Sequence, residues 1–149
     1  MVARPMAAPV VLRGERFYVR MAAACLALAV IGFAPTYWLP LFRGTLDVAP
    51  LAHLHALFFY GWLVLFVRQT VLAASGRMAR HRELGVAGVA LATAMVFAGL
   101  GMTVNTLKRS EAAGFGDSAR AFSIISFTAI GLFAVLFAIA IVNVKRPAI

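Results

Sequence analysis

Four long apolar runs, Met21 to Leu41, Leu51 to Ala74, Leu84 to Leu107 and Ala121 to Val144, leave this chain few ways to fold. Each is close to the ~20 residues an α-helix needs to cross about 30 Å of hydrocarbon. None holds an acidic residue, and the one base inside them, Arg68, stands near an end from which it can snorkel to the interface. Runs of this length are too long for strands, and lipid leaves only helices and closed barrels as spanning structures. The pattern predicts an all-α fold, an integral membrane up-down four-helix bundle with short loops. It divides the chain into an N-terminal tail, 1–20, and a single four-helix transmembrane domain, 21–149, with spans near 21–41, 51–74, 84–107 and 121–144.

Composition narrows the function classes. The chain has 149 residues, enough for one domain. It is 63% hydrophobic and 13% charged, against roughly 45–50% and about 25% in soluble domains. A soluble fold of this size could not hide so much apolar surface, so a lipid-facing exterior is implied. Fourteen Lys and Arg against five Asp and Glu give a net charge of +9. These bases sit in short stretches between apolar runs, not on a polar domain, which argues against nucleic acid as a partner. Cys25 is the only cysteine, so an intrachain disulfide is impossible and a thiolate cluster is disfavoured.

The first run follows Arg13, Arg16 and Arg20 but is unlike a signal peptide, ending in Tyr37, Trp38 and Pro40 without a small-residue cleavage site. Residues 1–12 lack periodicity and read as a loose tail. Counting bases sets the orientation. Arg4, Arg13, Arg16, Arg20, Arg68, Arg77, Arg80, Arg82, Lys145 and Arg146 fall on one side, ten in all. Arg43, Lys108, Arg109 and Arg120 fall on the other, where Asp47, Glu111 and Asp117 nearly cancel them. The imbalance predicts both termini in the cytoplasm.

The connections carry their own signals. Asp47 is placed to cap the second span, with Pro50 tolerated in its first turn. SEAAGFGD (110–117) reads as a surface loop. Tyr37, Trp38 and Phe42 suit an aromatic belt at the outer boundary. Gly85, Gly88, Gly99 and Gly101 put small residues along the third span, where helices can approach closely.

The stretch APLAHLHALFFYGW (49–62) places His53 and His55 at the outer end of the second span. On a regular helix residues two apart diverge by about 200°, so only one ring can face inward. His55 is the inward candidate, because Phe59, Trp62 and Phe66 continue its stripe. Thr36, Thr103, Asn105, Ser123, Ser126 and Thr128 map to the same outer half, and polar side chains at depth tend to face the interior or a cavity. The expectation is a polar pocket around His55; the plainer reading is interhelical hydrogen bonds beside an aromatic interface. His81, in ARHRELG, lies 26 residues from His55, about 39 Å if helical throughout. The two cannot share one metal, whose ligand nitrogens lie within ~2.1 Å of it. A haem b at the outer end would need another axial ligand, for which Met102 is at a suitable depth. His81 itself reads as a solvated loop histidine within a basic patch of Arg77, Arg80 and Arg82.

HLHALFFYGWLVLFVRQ followed by RHRELG resembles a group of bacterial multi-pass membrane proteins of unassigned function. In that group a histidine opens one helix, an aromatic-rich span follows, and an Arg-His-Arg-x-x-Gly element starts the next. The similarity spans residues 51–88. It implies a bacterial inner (plasma) membrane location. Members often continue past the last helix with a further histidine-containing basic element, whereas this chain stops at VKRPAI, as a short or truncated member would. The helix pattern is also similar in shape to small b-type cytochromes, without their paired histidines at matched depth.

Two functions compete. The leading expectation is a non-catalytic accessory or assembly subunit that meets a homo-oligomer partner or a larger membrane complex through its helices in the lipid bilayer. The alternative is a haem- or quinone-binding redox protein with His55, His53 and Met102 at the outer pocket. A channel or transporter is weaker, since no intramembrane acid or charged pair supplies a pathway.

Overall fold

A computed structural model of the chain describes residues 13–144. The tail 1–12 and the C-terminal bases Lys145 and Arg146 lie outside the described residues. Helix α1 runs Arg13–Phe33, passes into a π-helical turn at Ala34–Trp38, and continues as α2, Leu39–Phe42. Then follow α3 (Pro50–Ala74), α4 (Met78–Ala112) and α5 (Gly116–Val142). Four helical segments are long and apolar enough to cross a membrane, Arg16–Phe42, Pro50–Ala74, Met78–Ala112 and Gly116–Val142. The expected all-α, up-down four-helix class therefore holds, and no strand occurs among the described residues.

The spans are longer than hydropathy alone indicates. Met78, Ala79 and the RHRE element form the first turns of α4, and Ser110–Ala112 form its last, so only Ala113–Phe115 separate α4 from α5. The surface loop read at 110–117 is thus corrected to three residues. Polar residues extend a helix beyond the hydrocarbon because the backbone bonds that propagate it do not depend on side-chain polarity. Pro50 does open α3, while Asp47 stays exposed three residues earlier.

The short reversals share one device. At the ends of α2, α3 and α4, Gly44, Gly76 and Gly114 adopt φ of 69°, 68° and 84°. Each is bracketed by the paired bonds of a Schellman cap; at α3, Gly76 N–H donates to Ala73 O and Arg77 N–H to Leu72 O, at 3.0 and 2.9 Å. The left-handed residue turns the chain while its neighbours' amides satisfy the last carbonyls. The π turn has a different cause. Pro35 cannot donate to the preceding helix, and the wider winding carries the chain past it without ending the span.

The chain packs as two units. One comprises the described residues through Asp47 together with Tyr60–Gly88; its buried apolar residues are Ala22, Leu63 and Leu72. Gly88 is buried against Leu65 of α3, whose Cδ2 would lie 3.5 Å from a Cβ added there. The other unit comprises Val48–Phe59 and the chain from Val89 onward, with Ala52, Ala92, Met95 and Ala98 buried. Gly99 is buried there against Ile130 of α5 and His55 of α3. Small residues dominate the second interior, where they let helix backbones approach closely although lipid supplies no hydrophobic drive.

Candidate functional site

His55 is the sixth residue of α3, and its ring is half-buried. It stacks on Phe59 one turn further, with centroids 6.3 Å apart and planes 22° from parallel. The ring lies beside Gly99 of α4, where a Cβ would stand in ordinary contact with His55 Cε1, at 3.7 Å, and closer to Ile130 Cδ1, at 3.2 Å. His55 Nδ1 is buried with no hydrogen-bond partner. His53 is exposed, so the two rings diverge as the helix angle requires. Of the stripe expected below His55, Phe59 supplies the ring contact; Trp62 and Phe66 belong to the other unit.

The surrounding polar residues are arranged differently from the expected pocket. Thr103 donates its hydroxyl hydrogen to Gly99 O at 2.9 Å, and Ser123 donates to Arg120 O at 2.7 Å. These hydroxyls serve their own helices, as Ser and Thr commonly do. Ser126 and Thr128 are exposed, Asn105 is half-buried, and Thr36 is an exposed residue of the π turn in the other unit. No hydrogen bond joins His55 to Thr103, Asn105, Ser123 or Ser126. Met102 is half-buried and follows Gly99 by three residues, on a neighbouring position of the same α4 face. Among the described residues no group of three or more His, Cys, Asp and Glu gathers in metal-binding fashion.

A hydrogen-bonded chain of aromatic residues lies in the other unit and escaped the sequence reading. Trp38 Nε1–H donates to the Tyr60 hydroxyl at 3.0 Å, and that hydroxyl donates to Ala29 O at 3.1 Å. Trp38 also packs on Tyr60 and Phe42, at 4.9 and 6.4 Å between centroids. Tyr60 thereby ties α3 to α1 just before the π turn. A tyrosine inside an apolar run could have flagged this, since a buried phenol seeks a partner.

His81 also sits elsewhere than expected. It is a half-buried residue in the first turn of α4, not a solvated loop histidine. Its carbonyl accepts from Gln69 Nε2 at 3.1 Å, and the open position at Gly85 leaves that amide 3.7 Å from where a Cβ would stand. Gln69 Oε1 and His81 Nδ1 are buried without partners. At the α3–α4 reversal an open depression of about 440 Å³ is lined by Gly76, Arg77, Met78, Ala79 and Arg80. No continuous helix joins His55 to His81: the chain reverses at Gly76, and the two residues belong to different units.

No known protein family, characterised protein or solved structure matches the chain.

Proposed function

We propose that the protein is a small multi-pass membrane subunit with an accessory or assembly role, acting through its transmembrane helices. The observation that carries this reading is α5. That helix has 27 residues and none is buried. Ile130, Phe133, Ala134 and Phe137 form a half-buried stripe, while Phe122, Ile124, Ile125, Leu132 and Leu136 are exposed. A helix that completes a self-contained bundle buries one stripe fully against its own chain. A helix that does not is available to pack against another chain. The polar groups supporting this reading are spent locally, on backbone carbonyls and helix ends.

The proposed setting is the bacterial inner membrane with both termini cytoplasmic. The base count supports it, and so does the state of Arg120, whose guanidinium is held by Glu111 at 2.8 Å and Asp117 at 3.0 Å. Neutralising that arginine leaves the α4–α5 side with less free positive charge. Redox binding of a haem or quinone at His55 and Met102 is the second reading, favoured only by the half-buried ring at the outer end of α3.

Gentle-detergent extraction followed by native electrophoresis tests the subunit reading. Migration with a second protein or as an oligomer is expected. A species with the mass of one chain, unaccompanied in mild detergent and in nanodiscs, would overturn it. A Soret band in the same sample would favour the redox reading.

A further inference from the structure

Two helix reversals treat their arginines in opposite ways. At the α4–α5 reversal Arg120 is held by Glu111 at 2.8 Å and by Asp117 at 3.0 Å. At the α3–α4 reversal Arg77, Arg80 and Arg82 are all exposed, and among the described residues no ion pair or side-chain hydrogen bond engages them. The first turn of α4 holds no acid. Glu83, the nearest carboxylate along the chain, is exposed and takes part in no ion pair among the described residues. Three guanidinium groups against one carboxylate leave this segment with positive charge that the chain itself does not neutralise.

That charge borders a recess. Arg77 and Arg80 line the open depression of about 440 Å³ together with Gly76, Met78 and Ala79. Met78 is 45% exposed, so the same depression offers an apolar side chain as well as two guanidinium groups. The backbone that carries them is tied to α3. Gln69 Nε2 donates to the carbonyl of His81, which stands between Arg80 and Arg82, at 3.1 Å, and Arg77 N–H donates to Leu72 O at 2.9 Å. All of these residues belong to one packed unit. A backbone held in this way loses less freedom when a ligand binds.

The place of the depression along the chain says which anion is at hand. The apolar spans Pro50–Ala74 and Met78–Ala112 stand on either side of a three-residue turn, so the turn lies at a membrane face. Lipid headgroups are the concentrated anions there. Guanidinium groups suit phosphate oxygens, which they meet through paired N–H donors. A free phosphate would use the arginines alone, whereas a phospholipid also has an apolar part for Met78.

We infer that the depression between Arg77 and Arg80 is a site for the phosphate headgroup of an anionic lipid, with Met78 meeting the lipid's apolar part. The site involves a surface other than α5 and stands whether or not a second chain packs on that helix.

Native mass spectrometry of the full chain in mild detergent, titrated with phosphatidylglycerol or phosphatidylcholine, tests it. Phosphatidylglycerol should be retained in preference. Arg77→Gln/Arg80→Gln should weaken that retention roughly thirtyfold, at about fivefold for each arginine near a lipid surface. Lys108→Gln/Arg109→Gln removes equal charge from exposed residues at the other end of α4 and should leave retention level. Equal retention of the two lipids, or equal losses in the two double variants, would overturn the site in favour of diffuse attraction. Inorganic phosphate that displaces phosphatidylglycerol at equal concentration would overturn the lipid as the source. Should the arginine variant fail to fold, amide exchange of residues 76–82 in the parent decides. It should be slower in phosphatidylglycerol nanodiscs than in phosphatidylcholine ones, and equal exchange would overturn the site.

Discussion

The two neighbouring histidines differ in what surrounds them, and their substitutions should differ accordingly. His53→Ala changes an exposed ring and should stay within about 0.5 kcal/mol of the parent. His55→Ala removes the stack on Phe59, an aromatic pair worth about 0.5–1.5 kcal/mol beyond its buried area. It orphans no partner, since no hydrogen bond to the ring forms among the described residues, Asn105 and Ser126 included. Thermal unfolding in detergent should rank His55→Ala clearly below His53→Ala, and equal melting curves would refute the packing assigned to His55. Tyr60→Phe should be more costly than its size suggests. It takes away the oxygen that accepts from Trp38 and donates to Ala29 O, and a loss of about 1–3 kcal/mol is expected where a bonded group is left unsatisfied. Unchanged Trp38 fluorescence and stability would count against the bridge.

At the scale of elements, glycine has two separable roles. Gly99 is a packing position: a Cβ there meets Ile130 at 3.2 Å and His55 at 3.7 Å, and a leucine would meet far more. Overpacking of this kind costs typically about 1–3 kcal/mol. Gly131 on α5 has nothing within 4 Å. Gly99→Leu should therefore lower the melting temperature while Gly131→Leu leaves it level or raises it, and the reverse order would misplace the α4–α5 contact. Gly76 is a conformational position. At φ 68° a side chain costs roughly 1–2 kcal/mol, although the space around it is open. Gly76→Ala should destabilise, with Gly76→Asn milder because asparagine tolerates this region; indistinguishable Ala and Asn variants would argue that the α3–α4 reversal relaxes to another turn.

For the whole molecule, the prediction is topology. With only three residues between α4 and α5, the exposed Ala113 is the informative probe for that side. Met78, exposed at the α3–α4 reversal, serves for the opposite side. In a Cys25→Ala background, an impermeant thiol reagent applied outside should label Ala113→Cys and leave Met78→Cys untouched until the membrane is opened. Labelling of Met78→Cys alone in sealed cells would invert the orientation. The bonds of Arg120 to Glu111 and Asp117 are exposed, with side chains 61%, 40% and 101% accessible. Exposed pairs of this kind contribute little to stability, so Arg120→Gln should scarcely alter it while leaving the labelling pattern intact.

What the sequence determined by itself is the solvent of each segment. Runs of leucine, alanine, valine and phenylalanine near ~20 residues can meet their backbone hydrogen bonds in lipid only as helices, and that argument needs no partner contact. The divergence of His53 from His55 is legible for the same reason, being a property of one helix's winding. Helix ends were less legible: MARHRE and SEA are polar, yet backbone bonding and the caps at Gly76 and Gly114 decide where α4 begins and where it stops. Only tertiary structure decided which side of each ring is sealed. His55 Nδ1 is buried, and the ring lies beside Gly99 of α4, a residue 44 positions later in the chain. Tyr60 bridges Trp38 and Ala29 because α1 and α3 meet there. Hydropathy reports the free energy of a residue against its surroundings in bulk, whereas a hydrogen bond depends on the position of one donor against one acceptor, and in this chain both groups are set by helices distant in sequence.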